Sequence, residues 1–142
     1  MLSKTFMTVG LISVCVWGLV LVADAASAQD KQLATVPYKV VAPVNTLMIA
    51  QAQHLGQMKD LITDESAEER FVKLRVQSFI LAELCNLNAF RATKDDYRGW
   101  AVEARDKSLD LARAAQKNDD SNFKTLFKEI RTTCKNCHDA YQ

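Results

Sequence analysis

The sequence predicts an all-α protein, an antiparallel four-helix bundle. Three observations carry this. Prolines occur only at Pro37 and Pro43, and beyond residue 28 the glycines are Gly56 and Gly99 alone. From Pro43 onward apolar residues recur at three- and four-residue spacing, the period of a helix, with no strand-like alternation. The breaks between the periodic stretches are short, which makes successive helices antiparallel neighbours.

The first helix is expected over 44–63. Pro43 suits a first-turn position because its missing N–H would be unpaired there anyway. Met48, Ala52, Leu55, Met58 and Ile62 recur on its face. The second is expected over 66–92, opened by Ser66 and Glu69 as an S-x-x-E capping box. Phe71, Leu74, Ser78, Leu81 and Cys85 line one face. Val72, Val76, Phe79, Leu84 and Leu87 widen it, a breadth that implies burial on more than one side. The third is expected over 93–117, with Asp95 and Asp96 at its positive start and a face of small residues, Ala101, Ala104, Ser108, Leu111 and Ala115. The fourth follows "NDDSN", where an Asp or Ser can cap. Its stripe is Phe123, Leu126, Phe127, Ile130, Cys134, Cys137 and Tyr141.

The segment ahead of the bundle has a different character. Lys4, an apolar run over about residues 6–23 and the small-x-small triplet Ala26-Ser27-Ala28 have the layout of a secretory signal peptide cleaved after Ala28. An uncleaved anchor is the rival, and the run is at the lower limit of length for a span. Cys15 lies mid-run after Val14, where a lipoprotein cysteine would not stand. The expected organisation is a signal peptide over 1–28, a lead-in over 29–40 and the bundle over 41–142. The expected location is the periplasm. With 18 basic and 17 acidic residues the net charge is +1, and losing Lys4 and Asp24 leaves it there. No basic stripe points to nucleic acid.

Four cysteines and two histidines occur in the whole chain, and three of these six residues fall in "CKNCH", Cys134 to His138. C-x-x-C-H is the attachment signature of a c-type haem. Each thiol adds to a haem vinyl group and becomes a thioether, and the next histidine ligates the iron. On a helix, residues three and four apart share a side, so Cys134, Cys137 and His138 face together. Two other chemistries compete. A redox dithiol gains from a helix N-terminus, which favours thiolate, but this motif closes the last helix. A zinc site takes about four ligands, and beyond these three the chain offers His54 as its other histidine. Cys85, Cys134 and Cys137 make an odd number in an exported chain, so they cannot all pair internally. Cys85 reads as a small buried hydrophobe, or else as a partner in an intermolecular disulfide.

An exported four-helix bundle ending in "CKNCHDAY" resembles the cytochrome c′ family, the class II cytochromes c. The resemblance spans about residues 41–142 and is strongest from Arg113 onward. "LM" at Leu47-Met48 and "HLGQM" at His54 to Met58 are similar to the family's first helix. The resemblance implies one covalent haem c per chain, with the first helix over its distal face. It implies Met48 as the distal ligand, as in the Met-ligated low-spin subtype. Read without it, Met48 is a methionine packed on an apolar face. Two departures stand out. Gln142 occupies the place of a basic residue four beyond the haem histidine, and Val44 that of an arginine one turn before the distal residue. The side chains that meet the haem propionates are thus left open, with Arg91, Lys94 and Arg131 in view.

Two further first-helix side chains compete for the distal position. His54 is six residues from Met48, about 120° around the helix, and Met58 is ten residues on, about 80° around. Met48 and His54 therefore cannot face one haem together. Trp100 and Phe90 read as core or haem-pocket packing. Phe127, Ile130 and Tyr141 are expected beside the porphyrin. The function expected is single-electron transfer without substrate turnover, between redox partner proteins that the near-neutral charge does not identify. The alternative is a five-coordinate haem that binds NO or CO. The broad apolar surface of the second helix permits a homodimer.

Overall fold

A computed structural model of the chain describes residues 39–141. The expected signal peptide, Gln142 and nearly all of the lead-in lie outside these residues. Four helices follow one another: α1 (Val44–Thr63), α2 (Arg70–Arg91), α3 (Asp95–Gln116) and α4 (Asp120–Tyr141). No strand occurs among the described residues. α1 packs on α2, α2 on α3 and α3 on α4. The architecture is an all-α four-helix bundle.

The helix ends follow local chemistry. Pro43 stands one residue outside α1, and its carbonyl accepts from the N–H groups of Thr46 and Leu47 at 3.1 and 3.3 Å. α2 begins four residues later than expected. The Asp64 carboxylate takes both the Ser66 amide (3.1 Å) and the Ser66 hydroxyl (2.7 Å). The hydroxyl that would have capped α2 is thereby engaged, so the Ser66–Glu69 box does not form. Glu69 instead enters α2 through the left-handed region, φ 54°. α3 ends in a Schellman turn. The Asp119 N–H reaches the Ala114 carbonyl (3.0 Å), the Asn118 N–H reaches Ala115 (3.1 Å), and Asn118 takes φ 55°. Asp119 then caps α4 as expected of this segment, accepting from the Asn122 N–H at 3.1 Å.

The bundle has a sealed end and an open end. Met58, Leu74, Leu81, Leu111, Phe123 and Ile130 form a core with relative exposures of 0–1%. These positions lie late in α1, in the first half or middle of α2, late in α3 and in the first half of α4, as alternating helix directions require. Arg70 clips this end. Its Nε donates to the Leu61 carbonyl at 2.6 Å, and its Nη2 pairs with Asp120. Opposite, where α1 and α3 start and α2 and α4 end, a cleft opens.

Several expected faces are shifted. In α1 the buried positions are Leu47, Gln51 and Met58, and Ala52 is exposed. Val72, Val76 and Phe79 of α2 are each about half exposed, 49%, 47% and 50%. The width of that face is therefore a surface feature rather than a second buried side. Phe90 is 68% exposed and is not core. Phe127 and Ile130 belong to the sealed core.

The clip gives a testable consequence. The Asp120 carboxyl is held below its usual value, first by the Lys124 ammonium and then by Arg70. A depressed folded value contributes stability that is complete above about pH 4 and fades as pH falls through it. Asp120→Asn is expected to cost about 1.5 kcal/mol at pH 7, the low end for a bond to a charged partner, since Asp120 keeps 31% of its side chain exposed. It should also narrow the gap between the urea midpoints at pH 7 and pH 3. Arg70→Ala should cost more, because the Leu61 carbonyl loses its donor as well. Equal midpoints for Asp120→Asn and wild type at pH 7 would contradict this account of the clip.

Candidate haem site

Each helix contributes to one cleft at the open end. α4 supplies Thr133, Cys134, Cys137 and His138. Their spacing of one helical turn puts the two sulfurs and the imidazole on a shared face. α1 supplies Met48 and Gln51, and α2 supplies Cys85 and Asn88. α3 supplies Tyr97, Trp100, Ala101 and Ala104, two large rings followed by two small side chains that leave room. The empty space is about 380 Å³ with the open mouth included.

The cleft divides the α1 candidates. Met48 lines it, half-buried. Met58 is sealed in the core with no exposed surface, its sulfur 3.6 Å from the Ser78 hydroxyl. His54 lies off the cleft, with Nδ1 2.5 Å from Gln77 Oε1 on α2. Cys134, Cys137, His138 and Met48 are thus brought to one cavity, and His54 is not among its walls.

The thiols are shifted toward the neutral form. Burial pushes the Cys134 thiol up, with Cys137 as the lesser cause. Burial does the same to Cys137, with Asp96 adding to it. Cys85 is pushed up to about 12, again chiefly by burial and then by Cys134. A redox dithiol needs a lowered value, so this environment opposes that chemistry. Among the described residues no group of three or more His, Cys, Asp and Glu side chains is arranged to hold a metal ion by itself.

Three buried polar atoms on the cleft wall lack hydrogen-bond partners among the described residues: Gln51 Nε2, Asn88 Oδ1 and the Tyr97 hydroxyl. Gln51 is 8% exposed and Asn88 3%. Buried polar groups are almost always paired, so three orphans around one cavity mark it as the seat of a group with polar edges. A haem has an apolar plane, two vinyl groups for the thiols, an iron for histidine and thioether, and two carboxylates. The residues present fit it. Burial, then the nearby Cys137, raises the Tyr97 phenol, which keeps its proton to donate.

Residues 86–142 match the family model described as Cytochrome C′. Over these residues the chain is similar to the cytochrome c′ family. No curated protein and no solved structure matches the chain. The cytochrome c′ family binds covalently attached haem c, typically one per chain. The match takes in the end of α2 and all of α3 and α4, so it covers "CKNCH" and every cleft residue except Met48, Gln51 and Cys85.

Gln51, Asn88, Tyr97 and Thr133 were not evident as cleft residues from the sequence. Gln51 and Asn88 carried a usable signal. Each is a polar residue three positions along a helix from a cleft residue, Met48 or Cys85, on a stripe that is otherwise apolar.

The raised thiols predict an order of reactivity. In cofactor-free protein at pH 8, iodoacetamide should reach Cys85 last. A thiol pushed up to about 12 from the usual 9.0 holds about a thousandth of the ordinary thiolate. Because the thiolate is the nucleophile, alkylation should slow by about the same thousandfold. Peptide mass spectrometry over a time course would read this. Cys85 alkylated as fast as Cys137 would contradict its placement.

Proposed function

We propose that this chain carries single electrons through one haem c bonded to Cys134 and Cys137, with His138 and Met48 as the two axial ligands. The observation that carries it is the shared cleft of Met48 with Cys134, Cys137 and His138. When bound, the haem supplies a one-electron couple. Cys134 and Cys137 hold it to α4 without relying on affinity. His138, on the same helical face, presents a nitrogen, and Met48 presents a soft sulfur from α1. A Met/His pair raises the reduction potential. His138 and Met48, if both bound the iron, would leave no open position there for a substrate. Trp100, Ala101 and Ala104 supply an apolar wall that keeps water back. The family is generally non-enzymatic, in keeping with a carrier.

No helix of the described residues is long and apolar enough to cross a membrane. The leader expected over 1–28 supports delivery to the periplasm, where haem c proteins of this family typically work. The partners are redox proteins of that compartment. On α2, Val72, Val76, Phe79 and Ile80 are exposed at 38–50% and fall at helical spacing. A homodimer of the kind the sequence permits would use this stripe.

Two experiments test the proposal. The reduced, haem-loaded protein should keep a low-spin absorption spectrum barely altered by CO. Met48→Ala should become high-spin and bind CO readily, whereas His54→Ala should behave as wild type. Ready CO binding by the wild type would remove Met48 from the iron and favour the NO- or CO-binding alternative. Separately, Cys134→Ala and Cys137→Ala should each leave one thioether, and the double variant none. Haem stain on a denaturing gel should then disappear in the double variant alone. Stain retained there would overturn the attachment site.

A further inference from the structure

A second cavity adjoins the haem cleft. It is lined by Val44, Asn88, Arg91, Ala92, Lys94 and Tyr97, among others, with about 650 Å³ of empty space, open mouth included. Asn88 and Tyr97 belong to the walls of both cavities. The two spaces therefore meet at a junction flanked by two of the three orphaned buried polar atoms, Asn88 Oδ1 and the Tyr97 hydroxyl.

Beyond the junction stand two cations that make no ion pair among the described residues. Arg91, at the end of α2, donates from Nη1 to the backbone carbonyl of Ala42 at 2.6 Å, a neutral partner. The Lys94 ammonium lies over the Tyr141 ring, 4.9 Å from its centre. The other charged groups nearby are already engaged. Asp96 on α3 accepts from the Tyr141 hydroxyl at 2.6 Å, and Arg98 pairs with Asp95 and donates to the Ala92 carbonyl. α1 contributes Val44, which has no charge. An apolar cleft thus adjoins, across two unpaired polar groups, two positive charges that make no ion pair among the described residues, although the Lys94 charge is felt by Asp96. That is a seat for a flat apolar group with an anionic edge.

We propose that the haem propionates lie at this junction and in the second cavity, hydrogen-bonded by Tyr97 and Asn88 and neutralised by Arg91 and Lys94. A carboxylate takes donors only. The Tyr97 hydroxyl supplies one, and rotation of the Asn88 amide brings its NH₂ to the place of Oδ1. Arg91 offers a planar fork that suits a carboxylate, and Lys94 a mobile point charge. The cationic partner of the propionates then comes from the end of α2 and the turn after it, because α1 has Val44 where a cation would otherwise reach in. Arg131 is exposed on α4 and lines neither cavity, so it takes no part.

This inference rests on haem attachment at Cys134 and Cys137. The experiment uses the haem-loaded protein and its Arg91→Gln, Lys94→Gln, Tyr97→Phe and Arg131→Gln variants. Resonance Raman bands of propionate bending report hydrogen bonds to the carboxylates, and redox titration reports charge beside the haem. Arg91→Gln and Tyr97→Phe should shift the bending bands. Arg91→Gln and Lys94→Gln should lower the midpoint potential, since a nearby cation favours the more negative reduced state. Arg131→Gln should leave both as in wild type. The Lys94 side chain is exposed and, unlike that of Arg91, holds no backbone carbonyl, so Lys94→Gln tests the charge even if Arg91→Gln loosens the turn at Ala42. Bands and potentials equal to wild type in Arg91→Gln, Lys94→Gln and Tyr97→Phe would overturn the proposal. The CO response of the same samples reports the axial ligands independently, so failure of one claim is distinguishable from failure of the other.

Discussion

One helical turn is the constraint on which the site depends. Residues three and four apart on an α-helix share a face, so Cys134, Cys137 and His138 stand together whatever else the chain does. α4 therefore presents two thiols and an imidazole on one face, the set that the proposed haem would use. The other helices leave a slot against that face, and a haem seated there as proposed would take its second ligand from across it. The small side chains of Ala101 and Ala104 do the first, and α1, through Met48, offers the second.

The alternation of helix directions decides where that slot lies. The large apolar side chains sit where α1 and α3 end, with Met58, Leu111, Phe123 and Ile130 fully or almost fully enclosed. The Arg70 clip ties three helices at that same end through Leu61 and Asp120. The opposite end holds its walls apart and leaves Gln51 Nε2, Asn88 Oδ1 and the Tyr97 hydroxyl without partners among the described residues. Packing and site are thus separated along the bundle axis, and the unsatisfied amides and phenol are concentrated where a cofactor with polar edges can answer them.

Much of this was legible in the sequence, for physical reasons that differ by element. α1 runs from 44 to 63 as expected, because Pro43 fixes its start and the apolar period is unbroken. The all-α class followed from the scarcity of Gly and Pro breakers. The start of α2 was misread because Asp64 competes for the Ser66 hydroxyl, a contest that motif spacing does not reveal. Val72, Val76 and Phe79 were expected inside because a periodic pattern counts apolar residues without saying whether a partner helix exists to cover them. That Cys134, Cys137 and His138 share one cavity was legible, since their placement follows from a fixed local spacing. Gln51, Asn88, Tyr97 and Thr133 were not, because their role arises from four helices converging, and polar residues in a linear sequence read as surface.

The central claim is that one iron is held between a nitrogen of α4 and a sulfur of α1. X-ray absorption at the iron edge of the oxidised, haem-loaded protein tests it most directly, since sulfur scatters differently from nitrogen and oxygen. The account predicts a single sulfur neighbour beside the nitrogen shell, absent in Met48→Ala. A shell of light atoms alone in the wild type would contradict it.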